Sequence, residues 1–355
     1  MKIAFAIRPN YLSNRGGDTF QFLKTKKYLE MDYNDEISII TNPEDLKKDN
    51  SPIVHVFNLQ TADFTLAIVK EAKKLHKKIC LSPIIWHFGD AQYVNHITRL
   101  TLNLNIISRL NMLSVLSEKM SFIKKYEIQK TILQYCDAIL PNSEEEECII
   151  KEKYKIKVLS RIVPNCIDSL PDSNSPDLQK FSSIVLEVGR IEPTKNQLGV
   201  LLALMDHKDI PLFFIGKQNN TKKYYIDYLK ELGSKRTNTF FIDDLPQEDL
   251  ISYYKAAKVH VLPSFRESPG LVTLEALYYN TNVVVSEKKY CPVSYYQLDK
   301  YGYICNPYSV ESIRNAILNA YYQETKKVPN EYFSFYHYKN AAKMTHNVYD
   351  ELLSQ

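Results

Sequence analysis

Short apolar runs alternate along the chain with longer mixed segments. Ile3–Ile7, Ile37–Thr41, Ile53–Phe57, Ile79–Ile85, Ala138–Pro141 and Arg161–Pro164 are predicted as buried strands. Between several of them lie stretches of helical length and amphipathic pattern. In 64–78, for example, Phe64, Ala67, Ile68 and Leu75 recur near helical spacing. The alternation breaks at 168–177, which is polar and rich in Asp, Ser and Pro, the composition of a linker. It then restarts. Ser183–Val188, Pro211–Ile215, Thr239–Ile242, Val259–Pro263, Asn282–Ser286 and Tyr303–Cys305 are predicted as strands, with helices such as Gln247–Ala257 and Val310–Tyr322 between them. Strands alternating with helices imply parallel sheet and an α/β architecture. The expected organisation is a domain over 1–168, a second over 169–334, and a final helical segment over 335–355 that returns to the first domain. Phe335–Leu353 is read as one helix.

No repeat of 20–50 residues is present, which sets solenoids and propellers aside. The first apolar run is too short for a signal-peptide core, and no stretch of 18 apolar residues exists, so no membrane span is expected. At 45% hydrophobic and 24% charged residues, the 355-residue chain has globular composition, and its length suits about two domains. The net charge of +4 is too small to argue for nucleic acid, and none is expected as a partner. That excess sits in the first half, where 24 basic residues face 20 acidic ones over 1–168. An anionic surface would be met there. The six cysteines form no Cys-x-x-Cys pair and read as buried, reduced thiols.

Two motifs of the second half carry candidate chemistry. In 188–196, Gly189 ends a strand, Arg190 and Lys195 project from the connection, and a helix follows. The carboxyl edge of an open α/β sheet is where ligands sit, and two cations beside a helix start suit a diphosphate. A surface loop with two solvated charges explains the same residues, and both readings stay open from this motif alone. In 263–277, Ser268 is predicted as an N-cap and Pro269 as the first helical residue. The N–H groups of Gly270 and Leu271 would then face an anion. Glu267 and Glu275, eight residues apart, make electrostatic sense beside an anion only as acceptors, and sugar hydroxyls are natural donors. The plainer alternative is a capping acid and a surface helix residue.

Together these motifs resemble the retaining glycosyltransferases of family 4, of the GT-B fold: two Rossmann-like parallel-sheet domains facing a central cleft. The resemblance rests on Gly189-Arg190 with Lys195-Asn196, and on Glu267 with Glu275. It extends over most of the chain, since Val163-Pro-Asn-Cys-Ile-Asp168 looks like the segment closing the first domain, with Cys166 where the family usually has Gly. Pro269 stands where the family often has Phe. The resemblance implies roles. Arg190 and Lys195 would hold the donor diphosphate, Glu267 the sugar hydroxyls and Glu275 the ribose. Ser268, Gly270 and Leu271 would complete the donor site with Gly189. Gly216-Lys217 and 242–245 would lie near the base.

In the first half, Gly16-Gly17 joins the first strand to its helix and is neither a dinucleotide fingerprint nor a P-loop. The resemblance places both glycines near the donor phosphates. Its Gly-Gly-Asp-Thr form is similar to enzymes of bacterial surface-polysaccharide assembly. An ordinary turn capped by Asp18 or Thr19 is the alternative. The resemblance implies that His87, at a strand end, contacts the donor sugar, a loop histidine without a role being the alternative; Asp90 is a secondary candidate, and His55 reads as structural. Residues 96–130 interleave Arg99, Arg109, Lys119, Lys124, Lys125 and Lys130 with leucines and isoleucines. A basic amphipathic helix lying on an anionic membrane and helices packed on the sheet both fit this pattern, and membrane contact is the expectation taken forward. Ser143 and Glu146 read as a capping box.

The implied reaction moves a hexose-type sugar from a nucleotide sugar, UDP-sugar first and GDP-sugar second, to a glycan or polyprenyl-linked acceptor in capsule, O-antigen or exopolysaccharide assembly. Arg190, Lys195, Glu267 and His87 would be the catalytic groups. With no Asp-x-Asp present, neither metal nor other cofactor is expected. The expected location is cytoplasmic, at the inner face of the cell membrane. A sugar-nucleotide epimerase of similar fold and an inactive nucleotide-sugar-binding homologue are the alternatives.

Overall fold

A computed structural model describes residues 1–87, 89–102, 124–168, 183–218 and 220–354. These form two compact units. One comprises Met1–Ile85 with the described parts of Ser108–Ile167 and Ser334–Gln355; the other comprises the described parts of Trp86–Ile107 and Asp168–Phe333.

Along the first stretch run β1 (Lys2–Ala6), α1 (Gly17–Tyr33), β2 (Glu36–Ile40), β3 (Ile53–Phe57), α2 (Ala62–Lys74), β4 (Lys78–Ser82) and α3 (Gly89–Leu102). A helix α4 through 124–135, β5 (Ala138–Ile139), α5 (Glu144–Tyr154) and β6 (Leu159–Ser160) follow. The strands make one parallel sheet in the order β2-β1-β3-β4-β5-β6. Its strands β1, β3 and β4 are nearly all apolar and buried, as parallel strands covered on both faces must be. Phe5, Phe22 and Phe57 pack at ring-centroid distances of 5.1–5.7 Å on one side of β1.

The second unit carries β7 (Ile184–Val188), α6 (Gln197–Ala203), β8 (Leu212–Ile215), α7 (Lys223–Gly233), β9 (Thr239–Ile242), α8 (Gln247–Ala256), β10 (Ala257–Leu262), α9 (Leu271–Tyr278), β11 (Asn282–Ser286), α10 (Leu298–Tyr301), β12 (Tyr303–Cys305) and α11 (Val310–Tyr322). Its sheet is parallel in the order β12-β11-β10-β7-β8-β9. β7 is the first strand of this sheet in sequence and lies at its centre, so the order reverses between β7 and β10. Val185, Val259, Val261, Leu212 and Phe214 form the core beneath α6, α7 and α11.

Three expectations are corrected. The segment after β4 does not stay with the first half of the chain. α3 packs on the turn Pro193–Lys195 and on α7, and Leu102 packs against the second unit's core. The predicted strand at 161–164 lies earlier, at Leu159–Ser160. Backbone bonds from Arg161 to Ile139 and from Val163 to Pro141 continue the ladder beyond it. The final helix is two: α12 (Asn330–Phe335) and α13 (Tyr338–Leu353), separated where Ile167 bridges His337. α13 lies against α1, burying Ala342, Val348, Tyr349 and Leu352 in the first unit's core. Asp35 binds both the Met1 amine and His346 of α13, tying the two ends of the chain into one unit.

The predicted capping box is half formed. Ser143 accepts from the Glu146 N–H at 3.0 Å, but the Glu146 carboxylate does not cap Ser143. It accepts instead from the N–H groups of Asn142 and Ile85, fully buried, and so fixes the chain beyond β4. Burial raises its pKa to about 7, against the pull of those two donors. In the unfolded chain the group ionises near 4.5. The folded state therefore holds the proton longer, and stability falls as pH rises from 4.5 to about 7, by about 3 kcal/mol in all. Glu146→Gln should flatten this part of a melting-temperature profile between pH 5 and 7.5; parallel profiles for the two proteins would contradict it.

Candidate functional site

In an open parallel sheet, ligands bind beyond the carboxyl ends of the strands where strand order reverses. In the second unit that point lies between β7 and β10, and the two sequence motifs are the loops leaving those strands. Their local folding depends on two backbone features. Gly189 and Gly216 leave β7 and β8 in near contact: a Cβ on Gly216 would stand 2.1 Å from the Gly189 carbonyl oxygen. The two connections then run on together, with Ile191 bridging Gln218. Asn196 adopts a left-handed backbone (φ 67°), which Asn tolerates well. Its buried amide donates to the carbonyls of Pro263 and Pro307, at 3.2 and 2.8 Å. The Phe265 N–H donates to Thr194 O at 2.9 Å. The loops after β7 and β10 are thus sewn edge to edge.

The consequence is an ion pair between residues 72 apart in sequence. Lys195 Nζ donates to Glu267 Oε1, and the two side chains are 18% and 10% exposed. The Lys195 stem passes over Gly189, 3.8 Å from where a Cβ would stand, an ordinary packing distance. Arg190 is half exposed and 3.3 Å from Glu192. Arg266 adds a third cation; burial lowers its pKa, while Glu267 and Glu192 oppose that. So the structure brings Gly189, Arg190, Lys195 and Glu267 into one cluster.

The helix start differs from expectation. α9 begins at Leu271 and its N-cap is Gly270 (φ 86°), with no side-chain capping bond, so Ser268 and Pro269 lie before the helix; the Ser268–Pro269 peptide is cis. The positive φ at residue 270 favours glycine, and a Cβ there would also press on Leu262 at 3.0 Å. The N–H groups of Leu271 and Val272 open the first turn and lack intrahelical partners. Glu275 lies within α9, and its carboxylate accepts from Gln247 Nε2 at 2.7 Å and Tyr254 OH at 2.8 Å. It is half-buried and oriented by α8.

His87 is exposed and belongs to this same unit. Trp86 donates through its indole to Lys289 O at 3.0 Å, and Asp90 accepts from Lys289 at 2.7 Å and from Tyr308 at 3.0 Å. The Glu267 N–H donates to Tyr290 O, so the turn at 289–290 links the His87 segment to the Glu267 loop. Hydrogen bonding from Lys289 lowers the Asp90 pKa. Gly16 and Gly17 lie in the other unit, at the start of α1. There Asp18 is buried and accepts from Arg8 at 2.8 Å and from Asn58 at 3.1 Å. Burial opposes these donors, which still hold its pKa low.

The basic stretch 96–130 is not one described element. Its start ends α3 in the second unit, Lys124, Lys125 and Lys130 lie on α4 in the first, and Arg109 and Lys119 fall outside the described residues. Among the described residues no three His, Cys, Asp or Glu side chains gather as for a metal ion, and no helix is long and apolar enough to cross a membrane. Five cysteines are buried and Cys148 is exposed.

Sequence reading missed Arg8, Glu192, Arg266 and Glu187. Arg266 adjoins Glu267, and that adjacency was a usable signal. Arg8 and Glu187 sit at or near strand ends inside apolar runs, where a charge is itself the anomaly.

Residues 171–332 match the family model of glycosyl transferases group 1. The D-inositol 3-phosphate glycosyltransferase of Corynebacterium diphtheriae is 30% identical over 122 residues, covering 32% of this chain and 28% of that one. The O-antigen chain mannosyltransferase B of Escherichia coli is 30% identical over 154 residues, covering 41% and 39%. The matched segments therefore span well under half of either relative. Sucrose-phosphate synthase from Thermosynechococcus elongatus superposes over 100% of this chain and 99% of its own, with a TM-score of 0.80 at 16% identity. The fold is GT-B, with its two α/β parallel-sheet units.

The contact between Gly189 and Gly216 is backbone on backbone and cannot be relieved by a rotamer change. Gly216→Ala should cost about 1–3 kcal/mol in urea unfolding. Wild-type stability would show that the two connections are not locked together.

Proposed function

We propose that the chain is a glycosyltransferase that moves a hexose-type sugar from a nucleotide-sugar donor, UDP-linked first and GDP-linked second, to a glycan or lipid-linked glycan acceptor of bacterial surface-polysaccharide assembly. The observation that carries this reading is the Lys195–Glu267 pair, seated with Arg190 at the switch point of the second unit's sheet. The family match over 171–332 and the O-antigen relative support the reaction class and the acceptor class respectively.

In the reaction the bond between the anomeric carbon and the diphosphate oxygen breaks, and its electron pair leaves with the phosphate. Charge therefore grows on the diphosphate while the sugar becomes oxocarbenium-like. Fixed cations stabilise that charge most when they need not reorganise. Lys195 and Arg190 supply the positive charge, and the amide groups opening α9 add a positive helix end. Glu267 accepts from sugar hydroxyls, and its share in Lys195 couples sugar position to phosphate position. Glu275, already aimed by Gln247 and Tyr254, accepts from the ribose. His87 contacts the sugar. On the retaining course that the family resemblance implies, the acceptor oxygen attacks the face the phosphate leaves, and its proton passes to the departing phosphate. The base lies by Gly216 and 242–245.

Lys195→Ala should lower kcat by roughly 10²–10³, as for removal of one charge-stabilising donor. Near-wild-type turnover at saturating donor would refute that role. A peripheral contact with anionic membrane through 96–130 belongs to the same proposal, because a polyprenyl-linked acceptor lies at a bilayer. Replacing Lys124 and Lys125 with Gln should weaken co-sedimentation with anionic vesicles; unchanged sedimentation would remove that contact.

A further inference from the structure

Among the described residues of the second unit, Glu187 is the only buried acid. It stands on β7 two residues before Gly189 and is 1% exposed. Neither of its carboxyl oxygens has a hydrogen-bond partner. Strand alternation puts it with Val185, on the face that α6, α7 and α11 cover. The ionisable groups facing it are Lys195 from the turn after β7, Glu267 from the loop after β10, and Tyr225 from α7. A carboxylate without donors in such a place is strongly disfavoured, so the group takes up a proton.

We propose that Glu187 is a neutral carboxylic acid acting as a positioning residue for Lys195, and that binding of a nucleoside diphosphate beside Lys195 is linked to retention of its proton. This rests on the reading of the site as a diphosphate site. With Glu187 neutral, the Lys195 ammonium answers to one carboxylate, Glu267, and has charge to offer a phosphate. With Glu187 ionised, two carboxylates share that ammonium, and an incoming diphosphate meets an added negative charge. Burial pushes the Glu187 pKa well above the ordinary carboxyl range; Lys195 opposes this and Glu267 adds to it.

The sign of the linkage follows. A bound diphosphate adds negative charge near Glu187, so the complex holds this proton to higher pH than the free protein does. Affinity is independent of this group below its free pKa. It then falls with rising pH, by at most tenfold per unit for one proton, until the pKa of the complex is passed.

UDP and GDP binding measured calorimetrically from pH 6 to 10 tests this, with wild type and Glu187→Gln compared. Every other ionisable group is common to both proteins, so the ratio of their Kd values isolates Glu187. The expected ratio rises in the wild type's disfavour with pH, approaching one log unit per pH unit. Wild-type binding in buffers of different ionisation heat should show proton uptake over the same range. A constant ratio with no uptake overturns the inference while leaving the diphosphate site intact. Wild type that binds neither nucleotide at any pH overturns the diphosphate reading itself, and this inference with it. Should Glu187→Gln fail to fold, Glu187→Leu replaces it with the same expected ratio.

Discussion

The ammonium of Lys195 held against the carboxylate of Glu267 organises the second unit's site. A charge pair so nearly buried is stable only if both partners are fixed and their remaining polar atoms are satisfied. The fold meets that demand with backbone. Asn196 clamps the connection after β7 to those after β10 and β12, and the Thr194–Phe265 bond aligns the two loops. Gly216, with no Cβ, lets the connections after β7 and β8 lie in contact. The pair is therefore a product of sheet order: β7 and β10 are neighbours only because the second half of the sheet is laid down on the opposite side of β7 from the first.

The same logic recurs in the first unit, where strand order reverses between β1 and β3. The loop leaving β1 carries Gly16 and Gly17, and Asp18 is held by Arg8 at the end of β1 and by Asn58 just beyond β3. Each sheet thus places a charge-ordered loop at its own switch point, where parallel strands leave room and helix starts lend positive potential.

Much of this was legible because buried parallel strands read as short apolar runs and their helices as amphipathic ones. Thr239–Ile242, Asn282–Ser286 and Tyr303–Cys305 fall where the pattern puts them. The pairing of Lys195 with Glu267 was readable as two motifs near one ligand, since both follow strand ends. Three things were not readable. Ser268 and Pro269 carry a strong capping pattern, yet Gly270, which alone fits the crowded left-handed position, starts the helix. α3 follows a strand of one sheet but packs with the other unit, and packing partners leave no mark on local periodicity. Glu187 looks like an interruption in an apolar run, and only the fold shows that its carboxyl lies within electrostatic reach of Lys195.

The most direct measurement is a crystal structure with UDP bound. The account requires diphosphate oxygens within hydrogen-bond distance of Lys195 Nζ and of the Leu271 N–H, with the ribose hydroxyls on Glu275. A nucleotide bound elsewhere, with Lys195 still closed on Glu267 alone, would contradict it.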